Sequence, residues 1–149
     1  MSEDRLFFLM HLGHHAMFKL ADKRCMTRLN ISCVQLSALL FLQKNDGCLL
    51  KDLSAGLALN NSAITGLVTR MLNTDLVKKS PCKDDARSYR IYLSDKAKDI
   101  LPKGYELLRE FNQKIAATFS PEEMQVVTRF LASLTQVEDR FPEESTLDN

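Results

Sequence analysis

Ser62, Thr65, Gly66, Thr69 and Arg70 recur at helical spacing, with Asn61 just before them. Ile64, Leu67, Val68, Met71 and Leu72 recur at the same spacing on the opposite side. The polar face holds no carboxylate. Short hydroxyls, an amide and an Arg are groups that base edges and phosphates accept. A merely solvated helix face is the alternative, but such faces usually carry Glu and Lys. Thirteen to twenty residues beyond Arg70 stand Lys83, Asp85, Arg87 and Arg90, in and beside a polar loop between two strand-like runs. An Arg at such a loop tip can enter a minor groove, where narrow A·T tracts concentrate negative potential. Asp85 could brace Arg87 or a basic residue of the helix. The alternative is a surface hairpin with an ion pair worth about 0–1 kcal/mol.

Two other clusters invite chemistry. His11, His14 and His15 are the only histidines. Their 3–4 spacing would offer two imidazoles to a metal, but zinc needs further ligands that the segment does not supply. The plainer reading is that they line a subunit interface or pocket, and no metal is expected. The four cysteines, at 25, 33, 48 and 82, form no CxxC pair. Cys25 and Cys33 flank a helix–helix connection and could come together. Cys82, on the charged loop near Lys79 and Lys83, reads as exposed and inclined to ionise. No nucleophile elbow, P-loop, dinucleotide fingerprint or HExxH motif is present, so an enzyme is not expected.

The formal net charge of +1 conceals an uneven distribution. Residues 70–98 carry eight Lys/Arg against four Asp/Glu, and residues 121–149 carry two against seven. A basic middle matters more for a nucleic-acid partner than the total does. No apolar run approaches the roughly 18 residues of a membrane span, and Glu3 and Asp4 stand where a signal peptide is basic. A cytoplasmic protein with reduced thiols and no membrane partner is expected.

Several elements must position these residues. A long helix is expected from Asp4 to about Arg28. Leu6, Met10, Gly13, Met17 and Leu20 form a stripe that Phe7, Phe8, Leu9, Leu12, Ala16 and Phe18 widen nearly all round. A helix so apolar needs burial on more than one side, and a partner subunit could supply it. Ser32 with Gln35 should cap a second helix as a capping box. A short apolar run at Cys48 to Leu50, either a small strand or a buried entry, precedes a short helix from about Lys51 to Leu57. Asn60 or Asn61 should cap the polar-faced helix. Strands are expected at 76–80 and 89–93. Ser94 should cap a helix toward Thr118 in which Pro102 forces a kink or break. Ser120-Pro121-Glu122-Glu123 should start a last helix running to about Arg140. Residues 141–149 read as a mobile acidic tail.

This order is that of a winged helix-turn-helix, and the chain resembles the MarR family of bacterial transcriptional regulators. Leu50-Lys51-Asp52-Leu53 through Ala58 resembles the first helix of the motif, and Asn60 through Leu72 the recognition helix. Asp84-Asp85-Ala86-Arg87-Ser88-Tyr89-Arg90-Ile91-Tyr92-Leu93-Ser94 resembles the wing signature, an Asp-x-Arg tip and an apolar strand ending in Leu-Ser. The chain departs from the pattern at three places. Asp75 and Ala97 stand where Gly is common, and Gly66 stands where a larger or basic residue is common.

The resemblance implies a mainly helical single domain, with a winged helix-turn-helix at about 48–94 carrying a small β-hairpin wing. Dimerisation helices are implied at about 4–30 and 95–140. It further implies a homodimer on double-stranded DNA with a roughly palindromic operator, acting as a repressor relieved by a small-molecule effector, with no required cofactor. An effector cleft near the dimer interface would let His14 and His15 meet a small aromatic or anionic ligand. Two alternatives remain. One is a thiol-based redox sensor of the same fold using Cys25, Cys33 or Cys82, although relatives with a sensing thiol carry it near the start of the first helix, where Phe7 and Phe8 stand here. The other is a winged helix used for protein contact alone, which would want an apolar outer helix face and no basic wing.

Overall fold

The computed structural model describes residues 5–141. Helix α1 (Leu6–Leu29) begins within them, so its expected start at Asp4 lies outside, as do residues 142–149 of the acidic tail. Asn30, at φ 56°, ends α1 in the left-handed conformation that Asn tolerates well. The chain then bends by 76° into α2 (Cys33–Lys44). Ser32 and Gln35 form the expected capping box, with bonds of 3.1 and 2.9 Å.

The two residues of β1 (Cys48–Leu49) lead into α3 (Leu50–Gly56), α4 (Asn61–Asn73), β2 (Val77–Pro81) and β3 (Tyr89–Leu93). The sheet has three antiparallel strands in the order β1-β3-β2, the expected hairpin joined by the small strand that is one of the two readings of Cys48 to Leu50. Cys48 pairs with Ile91, and Val77 through Pro81 pair with Leu93 back to Tyr89. The short apolar run before α3 is therefore an edge strand.

Leu36, Leu39 and Leu42 of α2, Leu53 of α3, Ile64, Leu67 and Met71 of α4, and Ile91 of β3 share one core, each at most 1% exposed. Burial of each such side chain is worth about 1.5–3 kcal/mol. Helix α5 (Asp95–Ala116) adds Ala97, Leu101 and Leu107. Gly104 lets α5 approach α2, since a Cβ there would lie 2.6 Å from Leu36 Cδ1. Of the kink or break expected at Pro102, the break does not occur, since α5 runs on through it. Pro102 lies on the exposed side of α5, between buried Leu101 and Gly104. The carbonyl that loses its partner there can face water.

By internal contacts the chain divides into two units, residues up to Arg109 and residues from Glu110. In the second, Ser120 and Glu123 cap α6 (Pro121–Leu134) reciprocally at 3.1 and 2.8 Å. The helix stops at Leu134, short of the expected Arg140, and a 3₁₀ turn covers Val137–Arg140. No residue of α6 is buried, and Val126 and Leu131 are each 54% exposed.

Candidate nucleic-acid interface

Helix α4 is held at both ends by bonds that its sequence provides. Asn60 Oδ1 accepts the Ala63 N–H at 2.8 Å. At the other end Asp75 takes φ 57°, the Leu76 N–H reaches the Met71 carbonyl at 2.9 Å, and the Asp75 N–H reaches that of Leu72 at 3.2 Å. That is a Schellman motif with Asp in the position Gly usually takes, and buried Met71 and Leu76 make its hydrophobic contact. Ser94 Oγ, itself 1% exposed, donates to the Asp75 carbonyl at 2.6 Å and accepts the Ala97 N–H at 3.1 Å. Lys96 Nζ donates to the Thr74 carbonyl at 2.8 Å.

With Ile64, Leu67, Val68 and Met71 buried, Asn61, Ser62, Thr65, Thr69 and Arg70 are left exposed. Thr65 and Thr69 donate their hydroxyl protons back to the Asn61 and Thr65 carbonyls at 2.7 and 2.8 Å. Their methyls and oxygen lone pairs stay available. Gly66 leaves room for Arg70 to fold over it; a Cβ there would lie 3.3 Å from an Arg70 guanidinium nitrogen.

The loop of the wing is shaped by Asp85. One carboxylate oxygen accepts the Arg87 N–H at 2.9 Å and the other the Ser88 hydroxyl at 3.0 Å. These two bonds, the backbone one first, hold its carboxyl below the usual range. Asp85 thus braces the backbone of Arg87, and the exposed Arg87 side chain is carried on a closed turn. Lys79 lies over the Tyr89 ring, 5.3 Å from its centroid, and Lys83 is exposed.

Arg87, Asp85 and Arg90 from the wing share a cleft of about 530 Å³ with Asn61 and Thr65 of α4 and Lys51 of α3. Helix and wing residues that the sequence puts twenty or more positions apart therefore meet on one surface. Arg90 differs from its neighbours, because its guanidinium donates to the Gly47 carbonyl at 2.9 Å and is half-buried. Lys51 and Tyr89 of the cleft lining escaped the sequence reading. Lys51 carries the only signal, a cation at the start of the helix before α4.

Two expectations need correction. Cys82 is 7% exposed, because its N–H closes the loop base on the Ser88 carbonyl at 3.0 Å and its side chain turns into the cleft wall with Ile64 and Leu50. It is no exposed thiol. Asp85, as above, supports the loop backbone instead of pairing with a guanidinium. Elsewhere, Cys25 and Cys33 do come together at the α1–α2 junction, where the Cys33 N–H donates to Asp22 and each thiol acts on the other's ionisation. His14 stacks on Phe18 with centroids 4.4 Å apart, and His14 and His15 are both exposed along α1. Among the described residues no three His, Cys, Asp or Glu side chains gather as a metal-ligand set.

A polar-faced helix seated on a helix-turn-helix and flanked by a charged β-wing defines the winged helix-turn-helix class. Solved structures agree on the fold. A MarR transcriptional regulator from Methanosarcina mazei superposes with TM-score 0.82 at 17% identity, over 94% of this chain and all of that one. The MepR–DNA complex of Staphylococcus aureus gives 0.78 at 19% identity, over 88% of this chain and 96% of that one. In sequence, the HTH-type transcriptional regulator YfiV of Bacillus subtilis is 26% identical, over 96% of this chain and 89% of its own. Residues 31–89 match the MarR family model.

Proposed function

We propose that this chain regulates transcription by binding double-stranded DNA as a homodimer, with α4 in the major groove and the wing against the adjacent backbone and minor groove. The observation that carries the reading is the carboxylate-free face of α4 meeting Arg87 at one cleft. The DNA-bound state of the MepR neighbour and the regulator names of the relatives support it. Enzymatic chemistry and a resident cofactor have no part in it. An apolar outer helix face, which a protein-contact module would want, is not what α4 presents.

The dimer reading rests on α1, where Phe7 is 75%, Phe8 65% and Leu12 62% exposed. Exposed apolar surface in that density is what a second subunit covers. Taken by themselves, the C-terminal helices also leave apolar side chains exposed, at Ile115, Val126 and Leu131, for a second subunit to cover. Two-fold symmetry then places two recognition helices about 34–36 Å apart on a roughly palindromic operator. Within the cytoplasm the protein acts as a repressor, released when a small aromatic or anionic effector binds near His14 and His15.

Selection of bound duplexes from a random library should return a palindromic site. On that site Arg87→Ala should weaken binding strongly, most with A·T-rich flanks. Equal affinity of Arg87→Ala and the parent on every duplex would refute the wing assignment. Calorimetric titration with salicylate-like acids tests the effector, and its silence would remove that part alone.

A further inference from the structure

The α1–α2 junction holds a second chemical site, apart from the DNA-facing surface. Cys25 lies in the penultimate turn of α1 and is fully buried. Cys33 is the first residue of α2 and is half-buried. The 76° bend brings them together, and Asp22 fixes the approach by accepting the Cys33 N–H on Oδ1 at 2.8 Å. Asp22 and Cys25 are three residues apart on α1 and so share a face. The start of α2 is thereby pinned beside Cys25, and each thiol acts on the other's ionisation.

We infer that Cys25 and Cys33 form an oxidisable dithiol, which a low-molecular-weight disulfide converts to an intramolecular bridge across the α1–α2 turn. The half-buried Cys33 reacts first. Its thiolate attacks one sulfur of the small disulfide, forming a mixed disulfide and expelling one thiolate, which takes up a proton. Cys25 then loses its proton and attacks the Cys33 sulfur, expelling the second small thiol. Two protein thiols are oxidised and one small disulfide is reduced to two thiols. The bridge would fix the turn through Asn30 and Ile31, and with it the angle between α1 and α2.

Both thiols are held above their ordinary value. Burial is the main cause for each, and Cys25 is pushed up to about 12. The thiolate is therefore scarce near neutrality. Exchange should be slow at pH 7 and rise roughly tenfold per pH unit toward pH 9, while thiolate limits the rate. In a reducing compartment the dithiol persists until that poise changes.

The test incubates the folded full chain with excess oxidised glutathione, alkylates remaining thiols, and maps tryptic peptides by mass. Cleavage after Arg24, Arg28 and Lys44 separates the two cysteines. The expected product links peptide 25–28 to peptide 29–44, and reduction releases it. Cys25→Ala should halt at a glutathione adduct on Cys33, and Cys33→Ala should leave Cys25 unmodified. Cys48→Ser with Cys82→Ser should retain the link. Circular dichroism confirms that each variant is folded before oxidation. Absence of the 25–33 link in the folded parent, a stable Cys33 adduct that Cys25 never resolves, or a link from Cys33 to Cys48 or Cys82 would each overturn the inference. None of these outcomes depends on DNA binding.

Discussion

Helices α4 and α1 solve burial in opposite ways. α4 sets four side chains in the core at 0–1% exposure and leaves polar groups outside. α1 is nearly twice as long, yet only Ala21 and Cys25 are buried, and its phenylalanines stand in solvent. The contrast separates a helix completed by its own chain from one that needs another surface. α4 is positioned by folding, and α1 keeps the apolar surface that the proposed second subunit would cover.

The sharpest break of that comparison is a pair of truncations. Leu67→Ala, at 1% exposure in α4, should cost about 2–5 kcal/mol in denaturant unfolding. Phe8→Ala on α1 should cost far less at a concentration where the chain is monomeric. Close behind, Phe7→Glu with Phe8→Glu should leave the far-ultraviolet spectrum intact but weaken self-association by about 2 kcal/mol or more, roughly 30-fold, in sedimentation equilibrium. An unchanged dissociation constant would deny α1 its role as the assembly helix.

Effects on the outer face of α4 should be smaller and selective. Thr65→Ala should change sequence preference, by about 1–3 kcal/mol at the base it meets. Lys83→Ala on the wing should weaken all duplexes alike and flatten the salt slope by about 1. If Thr65→Ala acts uniformly, α4 is not the reading element. Gly66→Ala should stabilise the fold by about 1 kcal/mol through helix propensity. It should also displace the Arg70 tip and alter DNA affinity, as calorimetry and binding measured together would show.

The smallest effect belongs to pH. The Asp85 carboxyl ionises more readily when the loop is formed, because the Arg87 N–H and then the Ser88 hydroxyl bond its charged form. Those bonds are fully present above about pH 4 and are lost as pH falls through the lowered value. Loop chemical shifts of Arg87 and Ser88 should follow that titration, while α4 shifts hold constant. Asp85→Asn should remove the response.

Local chemistry was the legible part of the fold. The capping boxes at Ser32 and Ser120, the Asn60 cap and the left-handed Asp75 follow from neighbours within five residues. What stayed hidden depends on residues far apart. The Arg90 bond to Gly47 and the Leu93 N–H bond to Asp46 Oδ1 span 43 and 47 positions. No periodicity encodes them, so Arg90 read as a free wing cation. Cys82 read as exposed for the same reason, since charged neighbours describe a loop but not which way one side chain turns. Pro102 was judged by its type, when its place on the solvent side decides the outcome.

The Ser94 hydroxyl has a mechanical meaning. It grips the carbonyl just past the end of α4 and the first turn of α5 together. Only a group that donates and accepts through one small atom can do this at 1% exposure. The far end of α4 and the near end of α5 thus share one bolt, with the Lys96 bond to Thr74 as a second fastening. The first turn of α5 and the far end of α4 are therefore tied to one another by side-chain bonds as well as by the chain between them. The end of α4 is thus set from outside that helix, at a serine buried between it and α5.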